Sequence, residues 1–264
     1  MKNMDRHTFA VVAYKDSPYL EECLLSLLRQ TVKSEICISV STPSLSVDRL
    51  AERYNIPILV NTKDGGIACD WTFAYNNCKT KYLTLAHYDD IYLPKYTERC
   101  LSAAGNKPFL IAFTDYAELM PDNTLRKISV NALVKAALKT PFLIKRRISS
   151  GGVKKAVLSF GNPIACPAVM YNREDIGYFE FSGDLSYNMD WDAWLRLSSR
   201  RGDFVYIKDR LLLHRLHKGS QTSLLIENKV RKQEELYLFR RLWPGPVARV
   251  LSDVYSLGAG SNKV

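Results

Sequence analysis

The chain contains 264 residues, of which 47% are hydrophobic, and carries a formal net charge of +10 at pH 7. This length suffices for one large α/β domain or two small ones, and the composition is that of a soluble globular protein with a sizeable core. Because no apolar run reaches the roughly 18 to 20 residues that span a bilayer, and no signal-peptide region follows the N-terminus, we expect a cytoplasmic protein.

Residues 1–95 alternate between short apolar runs and amphipathic stretches. Residues 8–14 form a continuous apolar run, which is typical of a strand buried on both faces of a parallel sheet. Ser17 and Pro18 then predict a helix start, with leucines following at helical spacing. Further strands are predicted at Glu35–Val40, 56–60 and 82–86, with helices at 47–54 and 68–78. This alternation predicts right-handed crossovers and a mostly parallel, nucleotide-binding sheet.

The strand at residues 82–86 ends in a charge cluster formed by His87, Asp89 and Asp90. In an open α/β sheet, ligands bind in the crevice outside the carboxyl ends of the strands. Two carboxylates at that position could hold a divalent cation against a phosphate. A solvated acidic turn after an ordinary strand is the alternative interpretation of the same residues.

The next segment is predicted to contain a helix at residues 95–104, a strand at 109–115 and a hairpin-like turn at 117–125. Residues 130–155 are basic and amphipathic, which predicts a helix. We expect a mobile loop at residues 149–152, because two serines precede two glycines there. This loop is either a lid over the site or a plain surface connection.

A helix is predicted to open near residue 188, and Asp190 falls in its first turn. A carboxylate in this position interacts favourably with the helix dipole, so capping alone is a sufficient explanation. The functional interpretation is a general base at the start of a helix, facing the acceptor side of a cleft.

Strand-like residues 204–207 and 211–213 lead into a second polar cluster, which contains His214, Arg215 and His217. An imidazole and cations within so short a stretch could complete a metal shell and clamp a diphosphate. We expect His214 to be structural and His217 to be the better ligand, since His217 stands beside a Lys-Gly-Ser turn.

Residues 224–255 are predicted to form a helical tail that packs on the core, dimerises, or lies on an anionic membrane with Trp243 at the interface. The basic excess collects in residues 135–155 and 229–249, which fits either a soluble surface or an anionic partner. No zinc-finger, RNP or basic-zipper pattern is present, so we expect no nucleic-acid partner. The six cysteines lack metal-binding spacing, so we expect buried free thiols and no structural zinc.

Four of these patterns follow one another along the chain, at residues 9–31, 87–90, 190–196 and 215–220. In this order and spacing, residues 7–222 resemble the family 2 inverting glycosyltransferases of the GT-A fold. The resemblance implies an α/β fold in which a nucleotide-binding βαβ unit belongs to a mixed central sheet flanked by helices. The implied organisation is a nucleotide-sugar-binding half at 1–95, an acceptor-binding half at 96–222 and a basic amphipathic helical tail at 223–264.

The resemblance also implies a metal-dependent donor site. Tyr14 would border the uracil of a UDP-sugar, while Asp89 and His217 would hold a Mn2+ or Mg2+ ion. The cation would neutralise charge that develops on the leaving diphosphate. The full set of residues expected to contact the donor is Tyr14, Lys15, Ser41, Asp70, Tyr88, Asp89 and Arg215.

On the acceptor side, Asp190 matches the family's catalytic base, which deprotonates the acceptor hydroxyl as it attacks the anomeric carbon opposite the leaving diphosphate. Inversion follows from that single displacement. Trp191 and Asp192 would contact the acceptor. The resemblance thus implies transfer of a hexose or a derivative from a UDP-sugar to a glycan or lipid-linked saccharide. We expect this reaction to serve surface-polysaccharide synthesis, in the cytoplasm or at the inner membrane face.

Three positions depart from the family's pattern. Ser41 stands where many relatives carry an acidic residue for uracil, His87 replaces the first Asp of the Asp-x-Asp motif, and Met189 replaces the usual Glu before the base. Asp70 could replace part of the lost contacts. These departures favour an alternative class, a catalytically silent nucleotide-sugar-binding or scaffolding subunit. A nucleotidyltransferase is disfavoured because residues 15–18 replace the Gly-rich loop that it needs after the first strand.

Overall fold

A mixed β-sheet of nine strands forms the centre of the computed structural model, which describes residues 7–63, 66–126, 130–217 and 230–260. The strands are β1 His7–Ala13, β2 Glu35–Val40, β3 Ile58–Val60, β4 Tyr82–His87, β5 Ile91–Tyr92, β6 Phe109–Leu119, β7 Arg147–Ile148, β8 Val169–Asn172 and β9 Asp203–Arg215. Their spatial order is β3-β2-β1-β4-β8-β6-β9-β5, and β7 pairs with β9 beside this path. The expected α/β class with a mixed central sheet is confirmed.

Helices cover both faces of this sheet. They are α1 Leu20–Leu28, α2 Leu45–Tyr54, α3 Gly66–Asn77, α4 Tyr96–Ala104, α5 Val130–Leu138, α6 Thr140–Ile144, α7 Gly151–Leu158, α8 Arg173–Ile176, α9 Met189–Ser198, α10 Val230–Arg240 and α11 Gly245–Gly260. Phe9 and Val11 of β1 belong to one hydrophobic cluster, whereas Ala10 and Val12 belong to the other. Since successive side chains of a strand point to opposite faces, β1 is buried on both sides, as its continuous apolar sequence predicts.

Four neighbouring strands, β3, β2, β1 and β4, form a parallel block at one end of the sheet. Ala13 pairs with Val40 and Val12 pairs with His87, so β1, β2 and β4 end at the same edge. Ligands bind at that edge in open α/β sheets. The helix after β1 begins at Leu20, later than predicted, because the Ser17 hydroxyl accepts a hydrogen bond from the Tyr19 N–H and forms a turn before the helix.

The second half of the sheet differs from its prediction. β9 is one long strand, although two shorter strands were expected, and it runs parallel to β6 along almost its whole length. The polar residues 208–210 that suggested a break lie instead at a shift in register, where Thr114 pairs with Ile207 and Asp115 pairs with Arg210. A bulge absorbs extra residues without ending a strand. β9 therefore reaches the ligand-binding edge, where it ends at Arg215.

The loop predicted at residues 149–152, considered as either a lid or a surface connection, is wrong. Ser150 caps α7 by accepting a hydrogen bond from the Val153 N–H, and the helix itself begins at Gly151. Ser149 donates a hydrogen bond to Asp203 at 2.5 Å, which ties the segment to the start of β9. The Ser-Ser-Gly-Gly sequence is thus a helix start, because a serine before a helix satisfies an otherwise unpaired N–H group.

The C-terminal helices α10 and α11 pack against the core, which was the first of the three roles considered for this tail. Leu238 and Phe239 of α10 are fully buried, and Phe239 contacts the ring of Trp191 in α9. Trp243 donates its indole N–H to the Ser159 carbonyl, so this ring takes part in packing. Within the residues that the structure describes, we find no helix that combines the length and the hydrophobicity needed to cross a membrane.

Candidate active site

The end of β9 is held against the end of β4 by the buried carboxylate of Asp90. Its Oδ1 atom accepts hydrogen bonds from the His214 ring at 2.9 Å and from the Arg215 N–H at 3.0 Å. Burial lowers the pKa of the His214 imidazole, but the charges of Asp90 and Asp89 outweigh this effect and raise it to about 9. His214 is therefore a cation at neutral pH and compensates one of the two carboxylates.

Asp89 is joined to the second polar cluster by His217. The Nε2 atom of His217 lies 2.9 Å from the Asp89 Oδ2 atom, and the Asp89 side chain is almost fully buried. Burial raises the pKa of the Asp89 carboxyl, but the hydrogen bond to His217 and the nearby imidazoles hold it below its usual range. Asp89 thus stays ionised at neutral pH. The structure brings together the two residues that were expected to bind a metal.

The same cluster has polar atoms that fit a cation. His87, Asp89 and Asp90 each offer a ligand atom, and these atoms lie within 4.8 Å of one another. The His87 Nε2 and Asp90 Oδ2 atoms are buried and make no hydrogen bond. Burial also lowers the pKa of His87, so its imidazole is neutral, which is the form that binds metals. Two carboxylates and an imidazole suit Mn2+, and the oxygen ligands suit Mg2+.

Arg215 is occupied by protein partners. Its side chain is almost fully buried, donates to the Asp89 carbonyl at 3.2 Å and to Asn123 Oδ1 at 3.0 Å, and pairs with Glu22 at 2.5 Å. Its guanidinium also lies over the ring of Tyr19, 4.6 Å from the centroid. These contacts position the turn that carries Asp89. These contacts use three of the five N–H groups of the guanidinium.

The serine that follows β2, Ser41, is hydrogen-bonded to a carboxylate from another element, that of Asp70. Ser41 donates a hydrogen bond to Asp70 Oδ2 at 2.8 Å, and the Asn61 amide donates to Asp70 Oδ1 at 2.8 Å. Asp70 belongs to α3 and is only partly buried. Two donors fix its orientation while leaving lone pairs for a ligand. Ser41 and Asp70, each expected near the donor, are thus in direct contact, a link that the sequence did not predict.

The other expected donor residues surround this edge. Tyr14 follows β1 with 40% of its surface exposed, and the Lys15 amine lies 5.1 Å from the centroid of its ring. Burial raises the pKa of the Tyr88 hydroxyl to about 12, with further contributions from the Asp89 carboxylate and from Tyr14. Tyr14, Tyr88 and Asp89 are thus close enough to interact electrostatically. An exposed aromatic ring beside an acidic cluster is able to receive a nucleobase.

Asp190 forms the second acidic centre, at the start of α9. Its Oδ2 atom accepts a hydrogen bond from the Asn162 amide at 2.9 Å, and its Oδ1 atom accepts one from the Trp191 N–H at 2.7 Å. Burial raises the pKa of the carboxyl to about 6, although both hydrogen bonds act in the opposite direction. The residue retains partial solvent exposure. Asp190 is thus ionised at neutral pH and is a stronger base than an ordinary aspartate.

Helix α11 supports Asp190 through Asn162. The Asn162 N–H donates to the Tyr255 hydroxyl at 3.1 Å, and Asn162 Oδ1 accepts from the Ile164 N–H at 3.1 Å. Gly161 has φ +148°, and a Cβ atom there would overlap the ring of Tyr255. Sequence reasoning missed both Asn162 and Tyr255. The Gly-Asn-Pro turn at residues 161–163 could have indicated Asn162. Nothing in the sequence indicates that Tyr255 contacts this turn.

Trp191 and Asp192 do not face an acceptor. Trp191 is fully buried, donates its indole N–H to the Leu158 carbonyl and contacts Phe239. The two carboxylate oxygens of Asp192 accept hydrogen bonds from Arg196 and Arg241. The acceptor contacts expected from these two residues are therefore corrected, because successive residues of a helix point in different directions and only Asp190 lies on the exposed side.

Two residues lie within electrostatic range of both acidic centres. Burial raises the pKa of the Cys166 thiol well above its usual value, and the charges of Asp190 and Asp90 add to this effect. The Lys135 ammonium group likewise acts on both Asp190 and His214. The Asp89 cluster and Asp190 are therefore near enough to share charged neighbours.

A family model described as glycosyl transferase family 2 matches residues 8–165, which is more than half of the chain. The chain belongs to this family. The match includes β1, the Asp89 cluster and the turn that carries Asn162, and membership makes the chain a glycosyltransferase by class. The resemblance inferred from the sequence motifs is confirmed. No curated protein matches the chain at a significant level.

Solved structures of glycosyltransferases share the fold of this family 2 chain. The mannosyltransferase PcManGT from Pyrobaculum calidifontis, in complex with GDP-Man and Mn2+, has a TM-score of 0.61 at 13% identity, covering 98% of this chain and 76% of that one. S. aureus TarS 1-349 in complex with UDP-GlcNAc has a TM-score of 0.58 at 11% identity, covering 95% and 71%. In another TarS structure, with a TM-score of 0.53 and 12% identity, the match covers 86% of this chain and only 39% of TarS. The GT-A-like fold is confirmed.

We predict that Asn162→Ala raises the pKa of Asp190 above its value of about 6. The substitution removes the amide that stabilises the ionised carboxylate, and one charged hydrogen bond corresponds to about one pKa unit. The measurement is a pH titration of the side-chain carboxyl signals by 13C NMR, assigned with Asp190→Asn. Tyr255→Phe serves as the matched control, because it keeps the ring and removes only the hydroxyl behind Asn162, so its shift should be smaller. An unchanged or lowered pKa in Asn162→Ala would contradict the assigned contact.

Proposed function

We propose that the chain is a metal-dependent, inverting glycosyltransferase that moves a hexose or a related sugar from a UDP-sugar to a glycan acceptor. One observation carries the proposal: Asp89 and Asp190 have opposite electrostatic environments. Asp89 is kept ionised by His217, whereas burial raises the pKa of Asp190 to about 6. Carboxylates with separated pKa values are suited to different roles in one reaction.

Asp190 is the proposed general base. Its carboxylate takes the proton from an acceptor hydroxyl, and the resulting oxygen nucleophile forms a bond to the anomeric carbon of the donor. The bond from that carbon to the diphosphate oxygen breaks on the opposite face, so the configuration inverts. A base whose pKa is close to the working pH is both sufficiently ionised and sufficiently basic. Asn162 holds one carboxylate oxygen and thereby orients the group.

Asp89 is the proposed metal ligand, and the other ligands come from its neighbours. His87 and Asp90 have unsatisfied buried atoms beside it, and His217 contacts it directly. A bound Mn2+ or Mg2+ ion supplies positive charge to the leaving diphosphate. The His214 cation adds positive charge beside Asp90, and this charge does not depend on a bound metal. The Mn2+ in the PcManGT complex supports this proposal.

Asp70 is the proposed contact for the nucleobase. Many relatives bind the N3–H group of uracil with an acidic residue at the end of β2, and here Ser41 at that end is bonded to the Asp70 carboxylate. A carboxylate accepts a hydrogen bond from N3–H of uracil but not from the unprotonated N3 of cytosine. The UDP-GlcNAc complex of TarS supports a uridine donor, whereas the GDP-Man complex of PcManGT makes guanosine the alternative to test.

A saccharide is the proposed acceptor, and a lipid-linked one fits the basic excess of the chain. Phe160 is 47% exposed and lies two positions before Asn162, with its ring packed against Trp243. An exposed aromatic ring near the base provides an apolar face for a sugar ring. The place of the reaction in surface-polysaccharide synthesis belongs to the same proposal.

The rival function, a silent nucleotide-sugar-binding subunit, would bind UDP without turnover.

We expect Asp190→Asn to lower turnover by about 100-fold to 10,000-fold, as the loss of a general base does, while UDP binding is retained. Turnover is measured as UDP release with a panel of donors and saccharide acceptors, and binding by calorimetry. Wild-type activity should fall as the pH drops below about 6, where Asp190 becomes protonated. Full turnover by Asp190→Asn would refute the base assignment. UDP binding without turnover by the wild type with every donor would favour the silent subunit.

The same substitution should stabilise the fold at neutral pH. The pKa of Asp190 is raised from 3.8 in a model compound to about 6 in the folded state, so the ionised carboxylate destabilises the fold above that pH. Asp190→Asn removes this cost of about 3 kcal/mol, and the gain should disappear as the pH falls towards 4. Urea unfolding at several pH values measures both effects, and a loss of stability at pH 7 would argue against the raised pKa.

Removal of divalent cations should abolish turnover, and addition of Mn2+ or Mg2+ should restore it. Asp89→Ala should eliminate this restoration, because it removes the central ligand of the cluster. Asp48→Asn, which neutralises an exposed carboxylate of α2, serves as the control and should retain metal dependence. Activity is measured as UDP release after chelation and readdition of each metal. Turnover that is unaffected by chelation would exclude the metal role of Asp89.

Asp70→Asn should reduce the preference for UDP over CDP by about tenfold or more, since an unpaired donor or acceptor costs about 1 to 3 kcal/mol. Competition calorimetry with UDP, CDP and GDP measures this preference in the wild type and the variant. Ser41→Ala is the matched control, because it removes a support of Asp70 and leaves the carboxylate in place. Tighter binding of GDP than of UDP by the wild type would overturn the proposed uridine donor.

A further inference from the structure

Helices α5 and α6 turn their apolar side chains towards solvent and their cations towards the protein. Leu133 is 59% exposed and Ile144 is 85% exposed. On the inner side, Lys135 donates to the Tyr116 hydroxyl at 2.7 Å, and Lys139 pairs with Asp115. A surface helix of a soluble protein normally has the opposite arrangement, with charged residues outside and apolar residues inside. The outer side of these helices is therefore suited to an environment less polar than water.

The apolar side chains form one continuous surface across the two helices. Only Lys139 separates α5 from α6, and its N–H donates to the Lys135 carbonyl, so the second helix continues the first. Leu133, Ala137 and Ile144 recur at helical spacing, while Phe142 on the opposite side is fully buried. The exposed residues Leu133, Val134, Ala137, Leu143 and Ile144 define what we call the α5–α6 apolar face.

Exposed cations border the α5–α6 apolar face. Lys145 and Arg146 follow directly after Ile144, and both are exposed. Arg210 is also exposed, and it lies near Arg146 because both guanidinium groups act on the hydroxyl of Tyr206. Helices that lie in a membrane interface combine an apolar stripe with flanking cations, which attract anionic lipid headgroups. The charge around this face is complementary to such headgroups.

We propose that the α5–α6 apolar face docks on an anionic lipid bilayer, with Leu133 and Ile144 inserted among the acyl chains and Lys145 and Arg146 at the headgroups. A second copy of the chain is a poorer occupant, since its cations would face the same cations across the interface in a protein of net charge +10. The proposal differs from membrane contact through the C-terminal helices, where Trp243 is engaged with Ser159.

Docking by this face would place the active site at the membrane surface. Lys135 lies on the inner side of α5, where it donates to the Tyr116 hydroxyl, and it is within electrostatic range of Asp190. The helix is therefore near the proposed base, and an acceptor carried on a lipid would reach that base by diffusion within the membrane. Vesicle binding is measured without turnover, so this inference can fail while the proposed reaction stands, and the reverse also holds.

Sedimentation of the full chain with vesicles tests the proposal. The chain should bind vesicles that contain phosphatidylglycerol and should bind pure phosphatidylcholine vesicles much more weakly, with salt reducing the difference. Leu133→Gln with Ile144→Gln should weaken binding by about tenfold for each residue, because glutamine preserves helix propensity and removes the apolar area. Lys145→Gln with Arg146→Gln should weaken it by about fivefold for each cation.

The matched control is Leu45→Gln, which removes a leucine that is 75% exposed on α2, and α2 leads into β3 at the other edge of the sheet. Its binding should equal that of the wild type, and all variants should keep their thermal unfolding midpoints because the altered side chains are exposed. Absence of wild-type binding to anionic vesicles would overturn the proposal. Equal binding by the Leu133 and Ile144 double variant would also do so. Self-association that this double variant abolishes in ultracentrifugation would assign the face to a second copy instead.

Discussion

The buried Asp90 carboxylate joins the two halves of the protein, and the rest of the site depends on this contact. An isolated buried charge is strongly unfavourable, so the carboxylate requires the His214 cation and the Arg215 N–H at the end of β9. Loss of one partner from such a pair costs about 3 to 5 kcal/mol. The contact brings His217 to Asp89 as a consequence of the same pairing. Residues separated by almost half of the chain thus form one cluster with atoms suited to a cation.

The two acidic centres use the same chemical group in different ways. Asp89 is surrounded by imidazoles, which stabilise its negative charge, whereas Asp190 is buried with two hydrogen bonds and Lys135 as partial compensation. The first environment favours a permanent anion that is suited to a cation, and the second favours a group that can accept a proton near neutral pH. Asp89 lies just after the end of β4, and Asp190 lies at the start of α9. These two positions give the aspartates different neighbours.

The sequence was sufficient for the elements whose signals are local. The apolar run of β1 and the helix around Asp190 were predicted because their periodicity does not depend on the rest of the chain. The single strand β9 was missed, because a bulge that keeps a polar segment in the sheet depends on the neighbouring strand β6. The loop predicted at residues 149–152 was wrong because a serine before two glycines is compatible with both a loop and a helix cap. Local sequence cannot separate these cases.

In the candidate site, too, residues with a local sequence motif were predicted and residues that depend on distant contacts were not. Motifs predicted Asp89, His217 and Asp190 as site residues, and the structure places His217 against Asp89, whereas the contact between Ser41 and Asp70 was not predicted. Trp191 was assigned to the acceptor because it stands next to Asp190 in sequence, although neighbouring helical residues point in different directions. The roles of Asn162 and Tyr255 could not be predicted, since their contact joins a turn to a helix far along the chain. Such contacts are determined by packing and not by any local pattern.

The support that Tyr255 gives to Asn162 also has a consequence for the order in which the protein is made. A ribosome releases the chain from its N-terminus, and domains begin to fold as they emerge. Asp70, Asp89 and Asp190 all leave the ribosome before Tyr255 does. An unfinished chain can therefore contain a folded parallel sheet with its nucleotide edge while the loop beneath Asp190 still lacks its anchor. Tyr255, which anchors that loop through Asn162, is synthesised only after all three of these aspartates.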